Sequence, residues 1–176
     1  MILMSSVDIV INTTMITAPL NGYIEPLENI TVDNELLLQE YKDHIEGKMT
    51  EVKGEDGHLQ QMRFGLILHP NREAPELHLM PATRQLVNQI RMVFDFDIAT
   101  YRVVMPNYVY NWHVDQPEKP TCIHVPLITN SSNLFIYYDK IFRVPIDGQA
   151  YVLNNGIFHT FANASREPRL HLMFNA

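Results

Sequence analysis

The stretch YNWHVD at 110–115 sets an imidazole, His113, and a carboxylate, Asp115, two residues apart. In an extended strand, residues i and i+2 share a face, so one strand can offer both groups to one ion. A third donor must come from elsewhere, and the best candidate is His159 in GIFHTFAN. Two imidazoles and one carboxylate on one face, with the opposite face open, form a donor set suited to a divalent iron that must also bind small molecules. Taken alone, a His-x-Asp pair more often describes a structural hydrogen bond, so the surrounding elements decide.

Those elements change character along the chain. From Thr100 onward helix signals vanish, and apolar runs at 101–105, 109–114, 121–128, 133–138, 141–144, 149–153, 157–162 and 169–174 are separated by Pro, Asn, Asp, Gly and Ser turns. About eight short strands at this spacing predict a sandwich, barrel or jelly roll. The first half is mixed. Residues 7–17 read as a β-branched edge strand, and Pro19, Leu20, Asn21 and Gly22 as a turn. Thr31 or Asp33 is placed to cap a helix running to about Glu46, with Gly47 as its stop. Residues 49–60 hold Gly54 and Gly57 and read as a loop or hairpin, a solvated connector in preference to a lid. A strand at 61–68 and irregular stretches at His69-Pro70-Asn71 and 73–75 follow. After Pro81, Leu86, Ile90, Val93 and Phe94 make one helical stripe whose natural job is to cover a sheet.

Composition narrows the function classes. A chain of 176 residues, 46% hydrophobic and 19% charged, suits one globular domain over residues 1–176 and excludes a disordered or low-complexity protein. Its formal net charge of −7 and lack of a basic run speak against nonspecific nucleic-acid binding. The start lacks a cationic leader, and no apolar run approaches the roughly 18 residues that span a bilayer, so no membrane partner is expected. Cys122 is the only cysteine, which rules out an internal disulfide and fits a reducing, cytoplasmic setting.

The motifs fall in a fixed order: MPN at 105–107, HVD at 113–115, CIH at 122–124, Gly148 before a strand, NNGIFH at 154–159, and Arg169 ten residues past His159. This ordered set, from Tyr101 to Phe174, resembles the aspartyl/asparaginyl β-hydroxylase family of Fe(II)/2-oxoglutarate-dependent oxygenases, which includes relatives acting on free proline. The His-x-Asp alone is weak; the ordered set is far more specific. Where the family commonly has Pro-Gly the chain has Pro106-Asn107, a mild departure because Asn tolerates positive φ.

The resemblance implies a mainly β fold with flanking helices, a cupin-like double-stranded β-helix or jelly roll. Residues 1–99 would form a buttress and 100–176 the core. It implies His113, Asp115 and His159 as iron ligands, Arg169 pairing with the distal carboxylate of 2-oxoglutarate, and His124 near the other carboxylate. With dioxygen, such an enzyme hydroxylates an unactivated C–H bond of an amino acid, small metabolite or peptidyl residue, releasing succinate and CO2. The chemistry independently asks for a cation such as Arg169, because a buried dicarboxylate needs a guanidinium fork. Strand parity leaves open whether Arg169, His171 and Met173 face inward, or Leu170, Leu172 and Phe174.

Two departures bear on the substrate. The peptide-hydroxylating members carry an Arg, expected to hold the substrate carboxylate, where this chain has Cys122. Arg102 stands where a small hydroxyl residue is expected, and reads either as a second grip on 2-oxoglutarate or, slightly preferred, as a substitute anchor for substrate. Cys122 itself reads as a small buried hydrophobe, His171 as structural, and Trp112, Tyr101, Tyr108 and Tyr110 as core and rim aromatics. The rival readings are a non-catalytic cupin-like module that binds a metal or small acid, and a cosubstrate-independent metalloenzyme such as an isomerase.

Overall fold

A computed structural model of the protein describes residues 15–19, 22–69, 72–115, 118 and 120–176. Most of the strand expected at 7–17 lies outside these residues, as do Leu20, Asn21, Pro70 and Asn71 of the expected turns. The elements run β1 (Ile24–Thr31), α1 (Asn34–His44), β2 (Thr50–Lys53), β3 (Leu59–His69), β4 (Arg72–Glu73), α2 (Pro81–Arg91), β5 (Ile98–Val104), β6 (Tyr108–Val109), β7 (Thr121–Ile128), β8 (Asn133–Tyr137), β9 (Ile141–Phe142), β10 (Gln149–Asn154), β11 (His159–Asn163) and β12 (Arg169–Asn175).

The strands form two antiparallel sheets. The larger, of eight strands, has the order β1-β10-β7-β12-β5-β3-β2 with β4 beside β3; the smaller is β6-β11-β8-β9. From β5 onward the chain passes back and forth between the sheets, which is the winding of a double-stranded β-helix. The expected fold is therefore the one found. The first half does more than lean on the core: β1 pairs with β10 and β3 with β5, so both extend the larger sheet.

Each element follows from its residues. Asp33 caps α1, its side chain accepting the Leu36 N–H at 3.0 Å. The helix ends before Gly47, which lies in a short 3-10 turn (Glu46–Lys48) and does not itself stop the helix. Residues 49–60 resolve into the β2–β3 hairpin. The strand β1 escaped the sequence reading because Pro26 removes a ladder donor and Asn29 adopts φ 65 at an irregularity in its pairing with β10. Such features belong to an edge strand, where β1 lies.

Two apolar clusters divide the interior. One fills the space between the helices and the outer face of the larger sheet, with Leu37, Tyr41, Leu86 and Ile90 meeting Tyr101, Val103, Leu170, Leu172 and Phe174. The other lies between the sheets, around Val104, Phe135, Tyr137, Leu153 and Phe161. Strands β7 and β12 are buried on both faces, so TCIHVPLI and RLHLMFN lack a solvent-exposed face.

One buried carboxylate ties these layers together. The α2 N-terminus starts with Pro81 and has no cap of its own. Instead Glu40 of α1 accepts the Ala82 and Thr83 N–H groups and the Thr83 hydroxyl, each at 2.8 Å. Because the Thr83 hydroxyl donates to Glu40, its oxygen is left to accept from Tyr101 on β5, 3.1 Å away. The chain Glu40–Thr83–Tyr101 fixes α1, α2 and β5 against one another, with Tyr101 outward and Arg102 on the opposite face. Glu40→Ala should leave two helix-terminal N–H groups without a partner and lower stability by about 2 to 3 kcal/mol. Denaturant melts check this, and an unchanged midpoint would show the contact to be idle.

Candidate metal centre and its cavity

The segment after β6 runs beside β11 with its alternate N–H groups bonded across. Tyr110 donates to Phe161, His113 exchanges both backbone hydrogen bonds with His159, and Asp115 donates to Asn155. The regular strand expected at 109–114 is thus reduced to Tyr108–Val109 and a single bridge at His113, and Asp115 stands beyond it. The register shifts by one residue between the Val109–Ala162 and His113–His159 pairs, which interrupts the ladder, and Asp115 then pairs with the turn that precedes β11. His113 and Asp115 still converge, with Nε2 and Oδ1 3.2 Å apart.

The three sequence-selected donors meet here: ligand atoms of His113, Asp115 and His159 lie within 4.8 Å of one another. Their orientation is set from behind. Nδ1 of His113 bonds the Asn111 carbonyl at 2.8 Å and Nδ1 of His159 bonds the Ile157 carbonyl at 2.9 Å. A carbonyl only accepts, so each Nδ1 carries the proton and each neutral ring keeps its Nε2 lone pair for the centre. Burial holds the His159 pKa below its ordinary value and favours that neutral form. Asn155 donates its Nδ2 to Asp115 Oδ2 at 2.8 Å, leaving Oδ1 turned toward His113. Nε2 of His113 and Oδ1 of Asp115 are close enough to share one cation. The donor set therefore fits a divalent metal ion.

The centre opens into a cavity of about 570 Å³ between the sheets, whose walls also carry Arg102, His124, Phe135, Phe161 and Arg169. Parity resolves in favour of the polar set: Arg169 faces the cavity side while Leu170, Leu172 and Phe174 pack under the helices. Arg169 is only 2% exposed, its guanidinium 5.0 Å from the Phe135 ring and 4.8 Å from that of Phe161. Its Nε and Nη1 have no hydrogen-bond partner among the described residues. Burial, with the Arg102 charge nearby, pushes its pKa down to about 9, so it remains a cation at neutral pH.

His124, in the cavity wall, has Nδ1 3.1 Å from Nδ1 of His171, and its Nε2 has no hydrogen-bond partner among the described residues. Burial, followed by the charge of Arg169, holds both rings well below the ordinary histidine value. Burial likewise pushes the Cys122 thiol far up, leaving it protonated, and Sγ approaches Asn175 Oδ1 at 3.4 Å. Trp112 does not enter the cavity; it stacks on Phe158 at 5.2 Å, and both rings are about half exposed. Asn155 and the Phe135–Phe161 clamp were given no role from the sequence. Asn155 sits within the NNGIFH motif, so its place beside Asp115 had a signal; the clamp joins β8 to β11 and had none.

The model of the aspartyl/asparaginyl beta-hydroxylase family matches residues 27–176, nearly the whole chain and well beyond the stretch that carried the sequence resemblance. The chain belongs to the aspartyl/asparaginyl beta-hydroxylase family. No curated protein sequence matches it. Among solved structures, the chain resembles an oxidoreductase of the 2OG-Fe(II) oxygenase family from Burkholderia pseudomallei, with TM-score 0.59 and 10% identity over 86% of this chain and 82% of that one. It resembles a Pseudomonas putida prolyl-4-hydroxylase with TM-score 0.55 and 13% identity over 89% and 94% of the two chains. A viral collagen prolyl hydroxylase from Paramecium Bursaria Chlorella virus-1 gives TM-score 0.55 and 10% identity over 87% and 94%. These likenesses establish the jelly-roll fold, and family membership establishes the enzyme class expected from the motifs, a 2-oxoglutarate-dependent hydroxylase. Among the described residues no helix is long and apolar enough to cross a membrane.

The buried histidine pair makes folding sensitive to acid. Both rings stay neutral in the fold, whereas in the unfolded chain each binds a proton below about pH 6.5. The unfolded state then holds more protons, so stability falls as pH drops below that value, by up to about 1.4 kcal/mol per pH unit per ring. Denaturant midpoints of the chelator-treated protein between pH 7.5 and 5.5 should decline accordingly, and the double variant His124→Gln/His171→Gln should decline less steeply. Equal slopes would reject the pair as the cause.

Proposed function

We propose that His113, Asp115 and His159 hold Fe(II), that Arg169 receives the distal carboxylate of 2-oxoglutarate, and that His124 lies near its other carboxylate. The reaction is hydroxylation of an unactivated C–H bond in a small molecule or a peptidyl residue. One observation carries this reading: three converging lone-pair donors share a cavity with a buried guanidinium that has no anionic partner among the described residues. A metal-binding module needs the donors alone; a dicarboxylate cosubstrate also needs the guanidinium. The viral prolyl hydroxylase of like fold is a complex with 2-oxoglutarate.

Bound at this centre with 2-oxoglutarate and dioxygen, iron supplies the oxidising chemistry, which couples formation of succinate and CO2 to hydroxylation of the substrate. The chain's own residues prepare the site. The Asn111 and Ile157 carbonyls keep the two histidines in the ligating tautomer, and Asn155 restrains the outer oxygen of Asp115. Phe135 and Phe161 cover the faces of the Arg169 guanidinium, which strengthens its pull on an arriving carboxylate by excluding water. His124, held neutral, places no further positive charge beside Arg169.

Anaerobic titration with Fe(II) and 2-oxoglutarate should give a visible charge-transfer band that needs both components. His113→Ala should abolish metal binding in a folded protein. Arg169→Met should raise the 2-oxoglutarate midpoint by about 30-fold or more, equivalent to a loss of about 2 kcal/mol or more. Iron binding without a band, or an Arg169 variant that titrates like the parent, rejects the cosubstrate assignment.

Asn155 gives a separate check on the metal centre. A partner behind a ligating carboxylate typically contributes about 10- to 100-fold to metal affinity. Asn155→Ala should weaken Fe(II) or Mn(II) binding by that factor while the triad residues stay in place. Unaltered affinity would show that the Asn155 restraint on Asp115 plays no part in metal binding.

A further inference from the structure

Arg102 brings a second guanidinium into the cavity that holds Arg169. The two stand on neighbouring strands of the larger sheet: Arg102 on β5 pairs with His171 of β12, and Arg169 pairs with Val104 one inward-facing step away. Among the described residues no carboxylate lies within 4.0 Å of Arg102, and its buried Nε has no hydrogen-bond partner. Its register neighbour across β3 is another cation, Arg63. A partly buried guanidinium without an anion is unfavourable to keep, and the arrival of one offsets its lost hydration.

The cofactors already proposed leave this charge unanswered. The charges of a divalent metal and of Arg169 are matched by Asp115 and the two carboxylates of 2-oxoglutarate. Asp97 also lines the cavity but does not come within ion-pair distance of Arg102. Position separates the two arginines as well. Arg169 begins β12, whereas Asn175, near the other end of that strand, pairs with Cys122, and Cys122 adjoins Thr121 at the cavity end where Asn155 and the triad sit. Arg102 pairs with His171, so along β12 it stands between the Arg169 end and the Asn175 end that adjoins Cys122. A cavity of about 570 Å³ lies in the ordinary range for small ligands and leaves space beside a five-carbon diacid.

Resting on the proposed function, we propose that Arg102 is a separate anion anchor, and that the substrate is a small carboxylic acid whose own carboxylate it holds. The reacting C–H bond then belongs to a molecule tethered by its acid group beside the metal, while Arg169 remains committed to the cosubstrate.

The test uses the full chain and free L-amino acids, each paired with its carboxamide, as probes. Binding is read by thermal shift and by the fluorescence of Trp112, the one tryptophan, beside His113 at the metal end. At least one acid should raise the Tm, and its carboxamide should not. Arg102→Met should weaken that acid by about 30-fold or more, and Arg102→Lys by less. The 2-oxoglutarate midpoint of Arg102→Met should move far less than that of Arg169→Met. A comparable shift in both variants would assign Arg102 to the cosubstrate and overturn the proposal, as would carboxamides that bind like the acids or a panel with no binder. Should the parent protein give no charge-transfer band yet bind an acid through Arg102, the cosubstrate assignment falls and the anion anchor stands.

Discussion

Strand β12 is buried on both faces, and its two-residue period decides what each face receives. Leu170, Leu172 and Phe174 go to the cluster under the helices, while Arg169, His171 and Met173 face the second sheet. A slip of one residue against β5 or β7 would drive a guanidinium and an imidazole beneath α1 and α2 and send three apolar side chains toward the cavity. The polar face therefore depends on the apolar face, which fixes the register that Arg169 needs. The helices matter for the same reason, and the buried Glu40–Thr83–Tyr101 chain holds them at the strand next door.

The electrostatic design of the cavity is unsatisfied by itself. Two imidazole lone pairs and a carboxylate oxygen converge on a common space, and among the described residues neither the Arg102 nor the Arg169 guanidinium has a carboxylate within 4.0 Å. In a fold with a margin of about 5 to 15 kcal/mol, such groups persist only if packing elsewhere outweighs them. Here the clusters on either side of the larger sheet provide that packing, and bound ligands relieve the rest. An unloaded protein should accordingly be less stable than a loaded one by the linkage of binding to folding.

How much of this was readable in the sequence depends on the range of the interaction. The strand at 121–128 and the helix after Pro81 were readable because a two-sided apolar run and a four-residue stripe are local signals. The cap at Asp33 was local too. The edge strand β1 was not, since Pro26 and Asn29 argue against a strand and only pairing with β10 overrides them. His113, Asp115 and His159 were selected by order along the chain, although the strand supposed to align the first two ends before Asp115. Glu40 and the Phe135–Phe161 clamp join segments far apart in sequence, and nothing in their own neighbourhoods announces the contact. The facing of Arg169 was undecidable from alternation alone, because both of its possible surroundings are closed to water.

The two sheets divide the chemistry between them. The smaller sheet and its extension carry the lone-pair donors, with His113 and His159 bridged and Asp115 just beyond. The larger sheet carries the cations and N–H groups, with Arg102 on β5, His124 on β7 and Arg169 on β12. Under the proposed assignments a metal would sit at the first wall and carboxylates at the second, so a molecule with both a chelating end and an acid end would be held across the gap. The jelly roll makes this economical: from β9 onward each strand lies in the opposite sheet to the one before it, so β11 with His159 and β12 with Arg169 bring residues close in sequence to opposing walls of one cavity. Substrate choice can then change on the larger sheet, as Cys122 and Arg102 suggest, without touching the donors that the smaller sheet keeps fixed.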